Sequence, residues 1–151
     1  MIDHVVSGGQ AGVDRAALDA ALELGVPCGG WCPKGRKAED GVIPAHYPLQ
    51  ETPSDEYEQR TEWNVREADG TLILAIGPLT GGTALTASIA RRLQKPLLVV
   101  NLATEPDLPS IRAWLSRQRI HALNVAGPRE SAQPGISQRA RVVLEALLRS
   151  R

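Results

Sequence analysis

Short apolar runs alternate with helical patterns along the whole chain, and this alternation restricts the fold more than any other feature. The apolar runs occupy residues 4–7, 27–31, 71–76, 96–102 and 121–126. Helical patterns occupy residues 12–24, 54–68, 83–94, 107–118 and 137–149. Parallel strands joined by crossover helices produce such an order. The runs LILAI and LLVV are apolar throughout, as in strands covered on both faces. The sequence therefore predicts an α/β fold with a mostly parallel sheet of about five strands, flanked by helices.

Size and charge limit the classes of function. The 151 residues and 42% apolar content suit one compact domain that spans residues 1–151. The formal net charge is zero, so no overall field favours nucleic acid or an anionic membrane. No apolar run approaches the roughly 20 residues of a membrane helix, and MIDHVVSGG lacks the features of a signal peptide. We expect a cytoplasmic protein without a membrane partner, while the sequence leaves open whether it forms a homo-oligomer.

The two cysteines, Cys28 and Cys32, are separated by three residues. No second cysteine or histidine cluster completes a set of four zinc ligands, and the three histidines are far apart in sequence. The sequence therefore predicts no metal site and two reduced thiols. Cys28 is expected to be buried like a small apolar residue, with Cys32 at a strand end.

One segment fails the alternating pattern. Residues 32–53 contain four prolines and no periodicity over 22 residues. Loops of that length inside a compact domain are usually functional or disordered. The charges in KGRKAED are compatible with a solvated flap and equally with a phosphate clamp, and both interpretations stay open.

Glycine-rich segments follow three of the predicted strands. They read SGGQAG after the first strand, GPLTGGT after the third and GPRESAQPG after the fifth. In a parallel sheet, ligands bind at the carboxyl ends of the strands, near the point where the strand order reverses. Glycine brings backbone N–H groups close to a ligand, and such groups at helix starts bind anions. A single glycine cluster often serves turn geometry alone, but three at one edge predict a site for a phosphorylated small molecule.

Candidate binding residues come from these three turns. They are Gly8, Gly9, Gln10, Gly12, Asp14 and Arg15, then Gly81, Gly82 and Thr83, and finally Arg129, Glu130 and Ser131. Arg129 is the best candidate for a forked contact with phosphate or carboxylate. Asp14 either interacts with the dipole of its helix or binds a ribose hydroxyl, and the sequence does not choose between them. Among the aromatic residues, Trp31 is expected closest to these turns.

A polar stripe marks the helical pattern at residues 54–68. Tyr57, Arg60, Thr61 and Asn64 follow one another at spacings of three and four, so they share one face of a helix. Such a stripe usually faces solvent, and we favour that interpretation.

Five segments together resemble, in order and spacing, the family named "putative molybdenum carrier protein" within the SLOG superfamily. They are SGGQAGVDRAAL, GWCPKGRKAEDGVIP, RTEWNVREADGTLIL, TGGTALT and LNVAGPRESAQPGI, and they cover nearly the whole chain. The resemblance implies a single Rossmann-like, three-layer domain. It also implies that a nucleotide or a molybdenum cofactor is held between the first and third glycine turns. A carrier that binds a phosphorylated small molecule is therefore the leading interpretation.

The same resemblance raises an enzymatic alternative, a phosphoribohydrolase that cleaves the N-glycosidic bond of a nucleoside monophosphate. Such relatives carry a glutamate shortly after their glycine-threonine turn, whereas ALTA follows Thr83 here. Glu130 or Asp14 would have to act as the acid-base group instead. Other members of the superfamily bind single-stranded DNA, but zero net charge and the lack of a basic aromatic stripe argue against that partner. Whether the protein is an enzyme stays open at this point.

Overall fold

The structure is a computed structural model that describes residues 1–149. Its helices are α1 (Val13–Glu23), α2 (Tyr57–Glu67), α3 (Gly81–Arg92), α4 (Leu108–Arg117) and α5 (Ile136–Arg149). Its strands are β1 (His4–Val6), β2 (Cys28–Gly29), β3 (Trp31–Cys32), β4 (Lys37–Ala38), β5 (Gly41–Val42), β6 (Gln50–Glu51), β7 (Gly70–Ala75), β8 (Leu97–Asn101) and β9 (Ala122–Ala126).

Five strands form the main sheet in the order β2-β1-β9-β7-β8, and every pair is parallel. Counted from β9 instead of from the N-terminus, this order reads 3-2-1-4-5, the order of a doubly wound Rossmann sheet. The strand order reverses between β9 and β7, and the carboxyl ends of those strands are where such sheets bind ligands. The predicted α/β fold with five mostly parallel strands is confirmed.

Helices cover both faces of the sheet, as the apolar runs predict. All six residues of β7 are buried, and successive side chains point to opposite faces. Leu72 and Leu74 belong to the large core that α1, α4 and α5 build on one face. Ile73 and Ala75 instead pack towards Ala87 of α3, on the face that α3 shares with α2. The result is the expected three-layer arrangement.

Two predicted elements differ from the structure in extent. The run at residues 27–31 contributes only Cys28–Gly29 to the main sheet, because the chain turns at Gly30 and the next two residues pair with β6. The helix expected from residue 54 begins at Tyr57, after a turn in which Gln59 Oε1 accepts from the backbone N–H of Ser54 at 2.9 Å.

The segment without periodicity is folded. Between β3 and β6, residues 33–49, called the flap below, contain the hairpin of β4 and β5. Ile43 is fully buried in a small cluster with Leu18 of α1. The phenol of Tyr47 donates to Asp19 at 2.6 Å. The guanidinium of Arg36 donates to four backbone carbonyls, those of residues 43, 44, 47 and 49. The flap is thus packed onto α1.

Candidate functional site

A cavity of about 470 Å³ opens where the strand order reverses, at the carboxyl ends of β7 and β9. All three glycine turns reach its wall, and α2 closes one side. The side chains or backbone that line it include Gln10, Asp14, Tyr57, Arg60, Thr61, Thr80, Gly81, Gly82, Thr83, Leu85, Thr86, Ala126, Gly127, Pro128, Arg129 and Ala132. The predicted convergence of the three turns is therefore present, but the three turns contribute very differently.

The second turn presents an open helix N-terminus to the cavity. α3 begins at Gly81, and its N-cap residue Thr80 makes no side-chain capping hydrogen bond. The first turn of α3 also holds no acidic residue. A Cβ at Gly81 or at Gly82 would have no protein atom within 4 Å, and Gly81 has a φ of 51° that favours glycine. The backbone N–H of Thr83 already donates to the Thr80 carbonyl at 3.2 Å. The N–H groups of Gly81 and Gly82, at the start of the helix, are therefore the donors available to a ligand, beside the positive end of the helix dipole.

The first turn is filled by the protein's own atoms. A Cβ on Gly8 would collide with the guanidinium of Arg60, and one on Gly9 would collide with Leu49 of the flap. A Cβ on Gly12 would collide with the backbone of residues 128–130, because the first and third turns pack closely there. Gly8 borders only a small recess beside the cavity, and Gly9 and Gly12 do not line the cavity. At these three positions glycine permits close packing within the chain.

The third turn contributes one cation and one helix cap. Arg129 lines the cavity, and its side chain is 38% exposed. Glu130 lies outside the cavity, and its carboxylate accepts from the backbone N–H groups of Gly135 at 2.6 Å and Ser137 at 3.0 Å. These hydrogen bonds at the start of α5 lower the pKa of Glu130 below its ordinary value. Ser131 also lies outside, and its hydroxyl donates to Glu39 of the flap at 2.6 Å.

The polar stripe of α2 faces the protein interior, so the solvent-facing interpretation is wrong. Thr61 and Asn64 are buried, at 4% and 2% exposure. Asn64 Nδ2 donates to the carbonyl of Trp31 at 2.9 Å, and Asn64 Oδ1 accepts the Trp31 backbone N–H at 2.8 Å. Tyr57, Arg60 and Thr61 line the cavity. The helical spacing is correctly recognised, but it gives no information about which face the tertiary structure covers.

A buried ion pair connects α2 to the first turn. Arg60 Nη1 lies 3.3 Å from Asp14 Oδ2, with the side chains 12% and 5% exposed. Burial raises the pKa of Asp14 above its ordinary value, although Arg60 acts in the opposite direction. The Asp14 carboxylate is therefore already paired inside the protein. Neither of the two roles predicted for it, the interaction with the helix dipole or the contact with a ribose hydroxyl, included this partner.

Three cations surround one aromatic ring at the cavity. The centroid of the Tyr57 ring lies 4.7 Å from Arg129 Cζ, 4.8 Å from Lys37 Nζ and 5.6 Å from Arg60 Cζ. Such distances are typical of cation–π contacts. Glu39 Oε2 of the flap approaches Arg129 Nη1 at 3.9 Å. With Asp14 paired to Arg60, the cavity keeps an excess of positive charge that suits an anion.

Tyr57 takes the position expected for Trp31. Trp31 packs edge-on against Trp63, with the ring centroids 4.7 Å apart, and its Nε1 donates to Glu67 at 2.6 Å. It lines no part of the cavity. Arg15 is also drawn away from the cavity, because its guanidinium donates to Asp40 of the flap at 2.5 Å and to the carbonyl of Gly9. The ring position depends on how α2 docks, which local sequence does not reveal.

Within residues 1–149, no group of three His, Cys, Asp or Glu side chains is arranged to hold a metal ion. Cys28 and Cys32 are free thiols, the first half-buried and the second buried, and burial raises the pKa of each. None of the described helices is long and apolar enough to cross a membrane.

Comparisons with known proteins agree with this architecture. A family model described as the circularly permutated YpsA SLOG family matches residues 5–148. The chain belongs to this SLOG family. The strand order that reads 3-2-1-4-5 only when counted from β9 is the arrangement that such a permutation produces.

One solved structure is closely similar over nearly the full length. It is the 1.45 Å crystal structure of a protein named "putative molybdenum carrier protein" from Syntrophus aciditrophicus SB. That protein is 45% identical, and the alignment covers 97% of this chain and 95% of the other, with a TM-score of 0.94. Among curated proteins, no significant match is found. The resemblance stated from the five sequence segments is confirmed.

Proposed function

We propose that this SLOG protein binds a phosphorylated small molecule, either a nucleotide or a molybdopterin-type cofactor, and that its phosphate lies at the N-terminus of α3. The observation that carries this proposal is the uncapped start of α3, where Gly81 and Gly82 leave open space on the cavity side. Backbone N–H groups and the helix dipole at such a position bind phosphate. Arg129 lines the same cavity, and its guanidinium would supply a forked donor.

Binding strength requires more than the phosphate contacts. A hydrogen bond to a charged group contributes about 1.5 to 3 kcal/mol, whereas micromolar affinity needs about 8 kcal/mol after the costs of association. The remaining part of the ligand would pack beside Tyr57 and its surrounding cations and on the apolar wall formed by Leu85 and Ala132. The volume of about 470 Å³ lies in the usual range of small-molecule sites. The name of the similar solved structure adds weight to the molybdopterin-type ligand.

Replacement of Arg129 tests this proposal. Arg129→Ala removes a half-exposed cation, so we expect the fold to persist and the affinity for AMP to fall by about tenfold or more, the equivalent of one charge-assisted hydrogen bond. Isothermal titration calorimetry with AMP and with molybdopterin-type cofactor measures the loss. Arg92→Ala is the matched control, because Arg92 is 56% exposed at the far end of α3. If the wild-type protein binds neither compound below millimolar concentration, the proposed function is wrong.

The hydrolase alternative now depends on Asp14. Asp14 lines the cavity and burial raises its pKa, as an acid-base group would require, whereas Glu130 lies outside the cavity and caps α5. Incubation of the protein with AMP, followed by chromatography, distinguishes the two functions. Free adenine would indicate hydrolysis of the N-glycosidic bond, and intact AMP would indicate binding alone. We favour binding, because the Asp14 carboxylate is paired with Arg60.

A further inference from the structure

Two side chains of the cavity wall carry a buried polar atom without a partner within the described chain, Gln10 at Oε1 and Arg60 at Nε. The Arg60 guanidinium is already paired with Asp14 through Nη1, whereas Oε1 is the acceptor of the Gln10 amide. Gln10 is 3% exposed, and its Oε1 accepts no hydrogen bond from any donor in residues 1–149. The same side chain lines the cavity. Buried acceptors are almost always satisfied, so this oxygen calls for a donor that the chain itself does not supply.

The orientation of the Gln10 amide is determined by its other end. Gln10 Nε2 donates to the backbone carbonyl of Lys37, in strand β4 of the flap, at 2.8 Å. A carbonyl oxygen only accepts, so rotating the amide by 180° would place two acceptors against each other. The atom left without a partner is therefore the oxygen, and it requires a donor such as a hydroxyl.

The separation of the strands that lead to Gln10 and to the proposed phosphate site indicates what kind of donor. Gln10 follows β1, and Gly81 starts the helix after β7, with β9 between these two strands. Two strand spacings place the ends of β1 and β7 roughly 10 Å apart. A ligand that reaches from the turn after one strand to the turn after the other must be larger than inorganic phosphate, and a phosphorylated sugar suits such a separation.

We propose that Gln10 is a specificity-determining residue, whose Oε1 accepts a hydrogen bond from a sugar hydroxyl of the phosphorylated ligand. This inference rests on the proposed function, because it assumes a phosphate at the N-terminus of α3. Through the Nε2 contact with Lys37, the same side chain connects the ligand to the flap. Ligands without that hydroxyl leave the buried oxygen unpaired and bind more weakly.

Calorimetry with AMP, 2′-deoxy-AMP and 3′-deoxy-AMP tests the inference. In the wild-type protein we expect one of the two deoxy compounds to bind about tenfold more weakly than AMP. In Gln10→Met, AMP itself should weaken about tenfold and the difference between the three compounds should vanish. Gln133→Met is the matched control, because Gln133 lies on the turn before α5 and does not line the cavity. This variant should retain the wild-type preference.

The outcomes separate the two proposals. If the wild-type protein binds all three nucleotides equally, Gln10 accepts no hydrogen bond from a sugar hydroxyl and the inference is overturned. This result needs only the wild-type protein, so it decides the question even when Gln10→Met fails to fold. A preference that persists in Gln10→Met overturns it too, because another residue then contacts the hydroxyl. If none of the nucleotides nor inorganic phosphate binds, the anion site proposed at α3 is wrong and the inference fails with it.

Discussion

Gly12 and Gly82 both lie at the start of a helix that follows a strand of the main sheet, yet glycine is present at the two positions for different reasons. At Gly12 a side chain would collide with the backbone of the third turn. At Gly82 there is room for one, since a Cβ would have no neighbour within 4 Å. Packing explains the first glycine, whereas the free space and free donors at the second are best explained by a ligand.

This difference leads to a prediction in which stability and binding change in opposite directions. Gly82→Asp places a carboxylate in the uncapped first turn of α3, where it interacts favourably with the helix dipole. Removal of a glycine from a helix also adds stability. The dipole interaction and the loss of the glycine together contribute about 1 kcal/mol or more to the free energy of unfolding. We therefore expect an equal or higher Tm in thermal unfolding and a loss of AMP affinity of at least tenfold, since the carboxylate competes with phosphate.

The neutral variant Gly82→Asn is the control for this substitution. Asparagine has the same size as aspartate but carries no charge, so it does not repel an anion. AMP affinity should fall less in Gly82→Asn than in Gly82→Asp. Unchanged affinity in Gly82→Asp would place the phosphate elsewhere than at α3.

At the scale of elements, α5 and α3 begin in contrasting ways. The start of α5 is capped by Glu130, whose two carboxylate oxygens accept the N–H groups of Gly135 and Ser137. The start of α3 receives no such cap from Thr80. An acidic residue beside a glycine turn can therefore satisfy the same donors that a ligand would use, so only the uncapped helix start is available to an anion.

The cap predicts a specific dependence of stability on pH. The folded pKa of Glu130 is held below its ordinary value of 4.5 by the two N–H donors. Its contribution to the free energy of unfolding is thus fully present above pH 4.5 and is lost as the pH falls through the lowered folded pKa. We expect Glu130→Gln to be less stable than wild type in urea at pH 7, and the two curves to converge in acid. The affinity of Glu130→Gln for AMP should stay unchanged. A large loss of affinity would indicate that Glu130 contacts the ligand.

The flap is a second element whose role depends on packing. Ile43 is fully buried against α1, so Ile43→Ala should lower the free energy of unfolding by about 2 to 5 kcal/mol. The neighbouring Val42 is 73% exposed, and Val42→Ala should change it by less than about 0.5 kcal/mol. Urea unfolding of both variants measures the difference. Similar small effects would mean that the flap is not part of the cooperative fold.

For the whole molecule, the order of the strands along the chain differs from the order in which a Rossmann sheet is usually connected. The chain begins at β1, although β9 occupies the place of the first strand in a Rossmann sheet. The N-terminus lies beside the beginning of β9, where His121 Nδ1 is 3.1 Å from the carbonyl of Met1. α5 follows β9 and runs back towards the same end of the sheet, as crossover helices do.

A rearranged chain should therefore keep the fold. We expect a variant opened between Gln118 and Arg119, in the exposed turn before β9, to fold and bind AMP like wild type when a Gly/Ser linker joins its original termini. Thermal unfolding and calorimetry check both properties. A second variant opened between Ile73 and Leu74, inside the buried strand β7, should not fold. Failure of the first variant would show that the connection before β9 is essential.

The sequence allowed the α/β class, the five main strands and the helix positions to be predicted, because each depends on the local period of apolar residues. The family resemblance was equally accessible, since five motifs follow one another in fixed order. Arg129 and Gly82 could be named as candidates because they directly follow predicted strands, and the carboxyl ends of parallel strands meet at one edge.

Only the tertiary structure decided which candidates face the cavity. Gly8 could not be distinguished from Gly82 in advance, because one meets Arg60 from α2, 52 residues away, and the other meets nothing. Tyr57 and Arg60 looked like surface residues because the period of a helix shows which residues share a face and not what covers that face. The orphaned oxygen of Gln10 likewise arises from a contact with the flap. Local spacing determines the elements, whereas the docking of α2 and the flap, over long distances in sequence, determines the site.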